Sequence, residues 1–177
     1  MGTAREPKPA KYFAALLSSD DELLTIAEGD LAAALGDVDL RSATFPWNFS
    51  DFYAREMGDG LLRRFVSFTS LASPENLSSI KSQTQRLEDR YRNSAGGRRI
   101  NLDPGYLDVY KVALASTKNA GQRIYLHAGI YAEATLLFHT AGFHGLEYTY
   151  RDYLAPQTLA FFTELRVRYL AQLREQA

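Results

Sequence analysis

Residues 11–18 read KYFAALLS, an unbroken apolar run held between polar neighbours. A run of this length suits a strand, and apolar side chains at both parities mean that both of its faces are buried. The following segment, SDDELLTIAEGDLAAALG, reads as a helix. Ser19 and Glu22 have the spacing of a capping box, Leu24, Ala27, Leu31 and Ala34 share one face, and Gly36 stands where a C-terminal cap belongs. VDLRSATF (38–45) is a weaker strand. GLLRRFVSFTSL (60–71) is a stronger one, after the turn signal Asp59-Gly60. Ser73-Pro74 opens a second helix, in which Leu77, Ile80, Thr84, Leu87 and Tyr91 recur at three and four. RRINLDP is a strand in which Ile100 and Leu102 alternate with Asn101 and Asp103.

The order strand, helix, strand, strand, helix, strand predicts an α+β fold, a ferredoxin-like split β-α-β-β-α-β unit in which two helices cover one sheet face. VYKVALAST, QRIYLHA, IYAEATLLFH and FHGLEYTY extend it as a C-terminal antiparallel β-meander. Residues 106–117 also fit a helix, because Leu107, Tyr110 and Leu114 have helical spacing. Pro156 begins a closing helix with Phe162, Leu165, Tyr169 and Leu173 as its apolar stripe. Residues 1–10, rich in proline and charge, are expected to form a flexible tail on a single domain spanning 11–177.

Composition excludes several chemistries. There is no cysteine, so disulfides, thiol catalysis and thiolate metal sites are absent. The N-terminus lacks an apolar signal region and no apolar run is long enough to span a bilayer, which points to a cytoplasmic protein without membrane contact. A net charge of -1 argues against a nucleic-acid partner, although Tyr12, Phe65 and Phe68 lie on the two central strands where RNA bases would stack. No P-loop, zincin, nucleophile-elbow or dinucleotide motif occurs. His127, His139 and His144 lack a common zinc spacing, and no metal site is expected.

Three stretches concentrate chemistry-bearing side chains. FPWNFSDFYAREMGDG (45–60) is long for a strand-to-strand connection, and its aromatic residues need burial; it reads as an ordered flap or as a lid carrying Asp51, Tyr53 and Glu56. RRINLDPGYLDVYKVALASTKN places Asn101 and Asp103 on one strand face just before a turn expected at Pro104-Gly105, with Tyr106 and Lys118 nearby. Asp103 can brace that turn, but a turn needs no lysine. In QRIYLHAGIYAEATLLFH, Arg123, Tyr125 and His127 share a face of one arm, and Tyr131, Glu133 and Thr135 share a face of the other. That pattern makes either a polar-aromatic platform or a solvated sheet face with cross-strand pairs such as Arg123–Glu133. Arg86, Arg90, Arg92, Arg98 and Arg99, interleaved with Glu88 and Asp89, read as a solvated helix face and loop.

FPWNFSDFYAREMGDGLLRRFVSF, INLDPGYLDVYKVALASTKN and RIYLHAGIYAEATLLF, in this order and spacing, resemble an uncharacterised bacterial family catalogued as domain of unknown function four-four-one-six. The resemblance runs from Lys8-Pro9 to the last helix and implies no activity that could be carried over. Two readings of function follow from the residues. One is a small-molecule-binding protein, or an enzyme, for an anionic or phosphorylated, nucleotide-like ligand. Its binding residues are Asp51, Tyr53, Glu56, Asn101, Asp103, Tyr106, Lys118, Arg123, Tyr125, Tyr131 and Glu133; Asp103 and Glu133 are its candidates for acid–base work. No cofactor is indicated. The other is a non-catalytic interaction or regulatory module whose aromatic surface meets a partner or a second copy of the chain.

Overall fold

The computed structural model describes residues 2–50 and 52–176. Among these, nine strands form one sheet in which every pairing is antiparallel. They are β1 (Ala10–Ser18), β2 (Val38–Arg41), β3 (Phe45–Pro46), β4 (Leu62–Ala72), β5 (Ile100–Leu107), β6 (Lys111–Ser116), β7 (Ile124–His127), β8 (Ile130–His139) and β9 (Gly142–Gly145). The order is β2-β4-β1-β5-β6-β8-β7, with β3 also on β4 and β9 also on β8. Three long helices, α1 (Asp21–Leu35), α3 (Leu77–Arg90) and α4 (Pro156–Glu175), accompany the single-turn α2 (Ala54–Met57).

β1 is buried along its whole length. Its even-numbered side chains, Tyr12, Ala14 and Leu16, join Leu24, Leu31, Leu77 and Ile80 beneath α1 and α3. Its odd-numbered Phe13 and Ala15 join Phe65, Phe162, Leu165 and Tyr169 beneath α4. The face left free by α1 and α3 is therefore sealed by the last helix. Tyr12, Phe65 and Phe68 are all buried and offer no platform for bases.

Several local expectations change. Asp20, not Ser19, caps α1: its carboxylate accepts from Leu23 N (3.1 Å), while Ser19 Oγ donates to the Met57 carbonyl (2.9 Å) and ties down α2. The predicted strand 38–45 is divided into β2 and β3. Residues 111–116 are strand, which settles the strand-or-helix alternative. Phe52, expected to bury with its aromatic neighbours, is 62% exposed.

The turn expected at Pro104-Gly105 does not form. β5 runs straight through it, with Ala14 opposite Pro104 and Phe13 opposite Gly105. The physical reason lies in what each residue lacks. β5 and β6 are joined by a tight hairpin closed by Asp108 N–H to the Lys111 carbonyl (3.0 Å). Alternation from that pair points the nitrogens of Tyr106 and Pro104 at β6. Proline has no N–H to give, and the β5–β6 ladder ends at Gly105–Leu114. Gly105 is needed for closeness: a Cβ there would stand 2.5 Å from the Phe13 ring and 2.5 Å from the Ala113 carbonyl oxygen.

Candidate functional site

Past Pro104 the two strands part, and the opening between them is a cavity of about 170 Å³. Asn101 and Asp103 line it from β5, and Leu114 to Lys118 line it from β6 and the loop beyond. Parting the strands orphans the backbone of Leu102, which would otherwise bond to β6. Two charged side chains of α3 take the place of the missing strand. Glu88 accepts the Leu102 N–H (2.7 Å) and Lys81 donates to the Leu102 carbonyl (3.0 Å). Both are buried, as an unsatisfied backbone group in this position would be costly.

Lys81 also donates to Asp103 Oδ1 (3.0 Å), and Asn101 Nδ2 donates to Asp103 Oδ2 (2.5 Å). Asn101 Oδ1 in turn accepts from Arg98 Nη1 (3.0 Å), whose remaining donors hold Glu56 through both carboxylate oxygens. One chain of contacts thus links α2, α3 and β5. Burial alone would raise the Asp103 carboxyl, but Lys81 and Arg63 outweigh it and hold the group below its ordinary range. Glu88 moves the other way: burial pushes it up to about 7, against the pull of Lys81. Glu56 is held down at about 2 by its hydrogen bonds to Arg98.

The opposite wall comes from β4, β8 and the turn before α4. Asp152 Oδ2 accepts from Trp47 Nε1 and from Arg63 Nη2, each at 2.9 Å. Arg63 is 4% exposed, and its Nε and Nη1 have no partner; the Tyr153 hydroxyl is likewise buried and unpartnered. Arg123 and Glu133 form a buried pair at 3.1 Å, and Arg123 Nη2 donates to Tyr150 Oη (2.7 Å). The cross-strand pair expected from the sequence is real, but it lies in the cavity wall and not on a solvated face. Burial raises the hydroxyls of Tyr53, Tyr150 and Tyr153, so all three are donors at neutral pH. At the mouth, Lys118 Nζ lies 4.4 Å from the centre of the exposed Phe52 ring.

Six of the side chains expected at a site, Tyr53, Asn101, Asp103, Lys118, Arg123 and Glu133, line this one cavity. Glu56 does not line it but holds Arg98, which does. Asp51 lies outside the described residues. Three expectations are corrected. Tyr106 points to the α1–α3 side and packs edge-on against Tyr12, because it has the opposite strand parity from Asp103. Tyr125 and Tyr131 pack on each other at 5.3 Å away from the cavity lining; Tyr125 is on the edge strand β7 and is 57% exposed. Arg98, read as part of a solvated loop, is drawn into the wall, whereas Arg92 and Arg99 pair at the surface with Asp89 and Asp20.

The residues missed by sequence reasoning are Arg63, Lys81, Gln85 and Glu88, and the stretch Tyr150, Asp152 and Tyr153. Lys81, Gln85 and Glu88 recur at four and three, so the sequence does hold a second, polar stripe beside the apolar one on α3. Arg63 carried a signal as well, being one of two adjacent arginines, Arg63 and Arg64, at the start of a strongly predicted strand. Among the described residues, no group of three or more potential metal-binding side chains comes together. No helix there is long and apolar enough to cross a membrane.

The family model described as "Domain of unknown function (DUF4416)" matches residues 8–169. The chain belongs to this family. No curated protein and no solved structure matches it. The three stretches that carry the family resemblance fall on the aromatic flap with β4, the parted strands β5 and β6, and the β7–β8 hairpin, so each supplies part of the cavity wall, the last through Arg123 and Glu133.

Proposed function

We propose that the protein binds a small anionic ligand in the cavity between β5 and β6. The observation that carries this reading is the sign of the unmet hydrogen-bonding capacity. Arg63 Nε and Nη1 and the Tyr153 hydroxyl are buried without partners, and among the described residues Lys118 Nζ has neither a hydrogen bond nor an ion pair. Every one of these can donate, so the complement is an acceptor-rich group such as a phosphate or carboxylate. Aromatic walls with a few convergent polar groups are what ligand sites present. Phe52 stands as a lid at the mouth, and Asp103 and Glu133 are the groups available for acid–base work. The order β2-β4-β1-β5, with α1 and α3 on one face, supports reading the N-terminal half as a ferredoxin-like unit to which the β6–β9 meander adds the second wall.

A thermal-shift screen of phosphate, sulfate, sugar phosphates, carboxylates and nucleotides tests the proposal. A ligand that binds only the native state raises the melting temperature by mass action. At least one anion is expected to do so, and no response to any of them would remove the reading. A second reading, an interaction module, draws on β7. This strand stands at the sheet end with Ile124 74% and Tyr125 57% exposed. An uncovered apolar edge favours strand pairing with another chain. Concentration-dependent mass in light scattering, lost on Ile124→Lys, would support it.

A further inference from the structure

The cavity that suits an anion also contains a carboxylate, and the two demands have to be met by different parts of one ligand. Asp103 receives one hydrogen bond at each oxygen, from Lys81 and from Asn101, which leaves acceptor capacity at both. Its side chain is 29% exposed, and that exposure is toward the cavity it lines. A carboxylate held this way repels a bare anion. It is satisfied by a ligand that brings a donor to it. The other carboxylates of the wall present far less surface: the side chains of Glu88, Glu133 and Asp152 are 8%, 3% and 4% exposed. Asp103 is therefore the acceptor end of the cavity, and the side lined by Arg63 and Tyr153, whose buried donors lack hydrogen-bond partners, is its anion end.

Resting on the anionic-ligand reading above, we infer that the cavity takes a hydroxylated phosphate of single-ring size, with its phosphate toward Arg63 and Tyr153 and its hydroxyls on Asp103. Size sets the upper limit. A cavity on the order of 150 Å³ accommodates one benzene ring, and the space here is about 170 Å³. A single sugar phosphate fits that scale, and anything larger extends past Phe52 into solvent. Tyr53 and Tyr150 supply ring faces against which the apolar side of a sugar packs. Lys118 at the mouth meets whatever negative charge projects outward. Hydroxyl groups on an ionised carboxylate give charge-assisted hydrogen bonds, which are the stronger kind.

Isothermal titration with ribose 5-phosphate, inorganic phosphate and ribose separates the two ends. The sugar phosphate is expected to bind at least tenfold more tightly than phosphate, and ribose more weakly than either. In Asp103→Asn the advantage of ribose 5-phosphate over phosphate should collapse, with phosphate binding unchanged or improved because a repelling charge is gone. Equal affinity of the wild-type protein for phosphate and ribose 5-phosphate would overturn the two-ended ligand while leaving the anionic reading intact. Loss of both in equal measure in Asp103→Asn would also overturn it. Binding of neither would remove the anionic reading itself. Should Asp103→Asn fail to fold, the wild-type comparison of the three probes decides alone.

Discussion

Lys118 tests the difference between a cation with a task and one on a wet surface. It is exposed, touches the Phe52 ring and makes no ion pair among the described residues. Lys118→Ala should change stability by no more than about 0.5 kcal/mol and should weaken or abolish the thermal shift given by a binding anion. An unchanged shift would leave Lys118 outside the site. Glu88 offers a test by pH. Its folded-state pKa, about 7, is raised from 4.5 by burial, so the folded chain holds the proton where the unfolded chain has lost it. Stability should therefore fall as pH rises from about 4.5 to about 7. Glu88→Gln, which still accepts the Leu102 N–H, should flatten that slope in urea denaturation on either side of the window. Glu56 has the opposite sign: held at about 2 by Arg98, it adds stability above its ordinary value that is lost as pH falls toward 2. It is one-third exposed, so the effect should be small and weakened by salt.

The element that makes the cavity is the short run Asp103-Pro104-Gly105. Proline beside glycine reads locally as a turn, and nothing within the run says otherwise. What overrides it is the partner on the other side: β1 pairs with β5 across the whole run and holds it extended. Register with a strand far away in sequence is not visible in local composition, which is why the turn expectation fails while the flanking strands and both covering helices are found. The same logic separates Asp103 from Tyr106. Strand parity puts them on opposite faces once the turn is removed, and that parity is legible in the sequence only if the strand continues through Pro104. Gly105→Ala is the sharpest test at this scale. The new Cβ meets a ring and a backbone oxygen, neither of which can give way cheaply. We expect a loss of about 1–3 kcal/mol or more, measured by chemical denaturation, with β1 and β5 forced apart. A neutral substitution would show that the approach of β1 and β6 to Gly105 is loose enough to admit a methyl group.

At the scale of the whole molecule, the sheet joins two halves that share their core. α1 and α3 cover one face of the first half, and α4 returns from the C-terminus to cover the other. Phe162 is fully buried and lies against Phe13 at 4.9 Å, Phe65 at 5.7 Å and Tyr153 at 5.9 Å, so one ring links both halves to the cavity wall. Phe162→Ala should cost about 3–5 kcal/mol and should also weaken anion binding, because Tyr153 loses the surface that places it. The two-sided burial of β1 was legible from KYFAALLS, and the helix that seals its far face was legible as an apolar stripe. The stretch Tyr150 to Tyr153 was not, because a short turn before a helix carries no periodicity to mark which way its side chains point. The most direct measurement of the central claim is a crystal soaked in tungstate, a heavy tetrahedral stand-in for phosphate. The expected result is one anion in the opening between β5 and β6, within hydrogen-bonding distance of Arg63 or Tyr153 and on the side of Lys118. An empty opening in a crystal that binds tungstate elsewhere would contradict it.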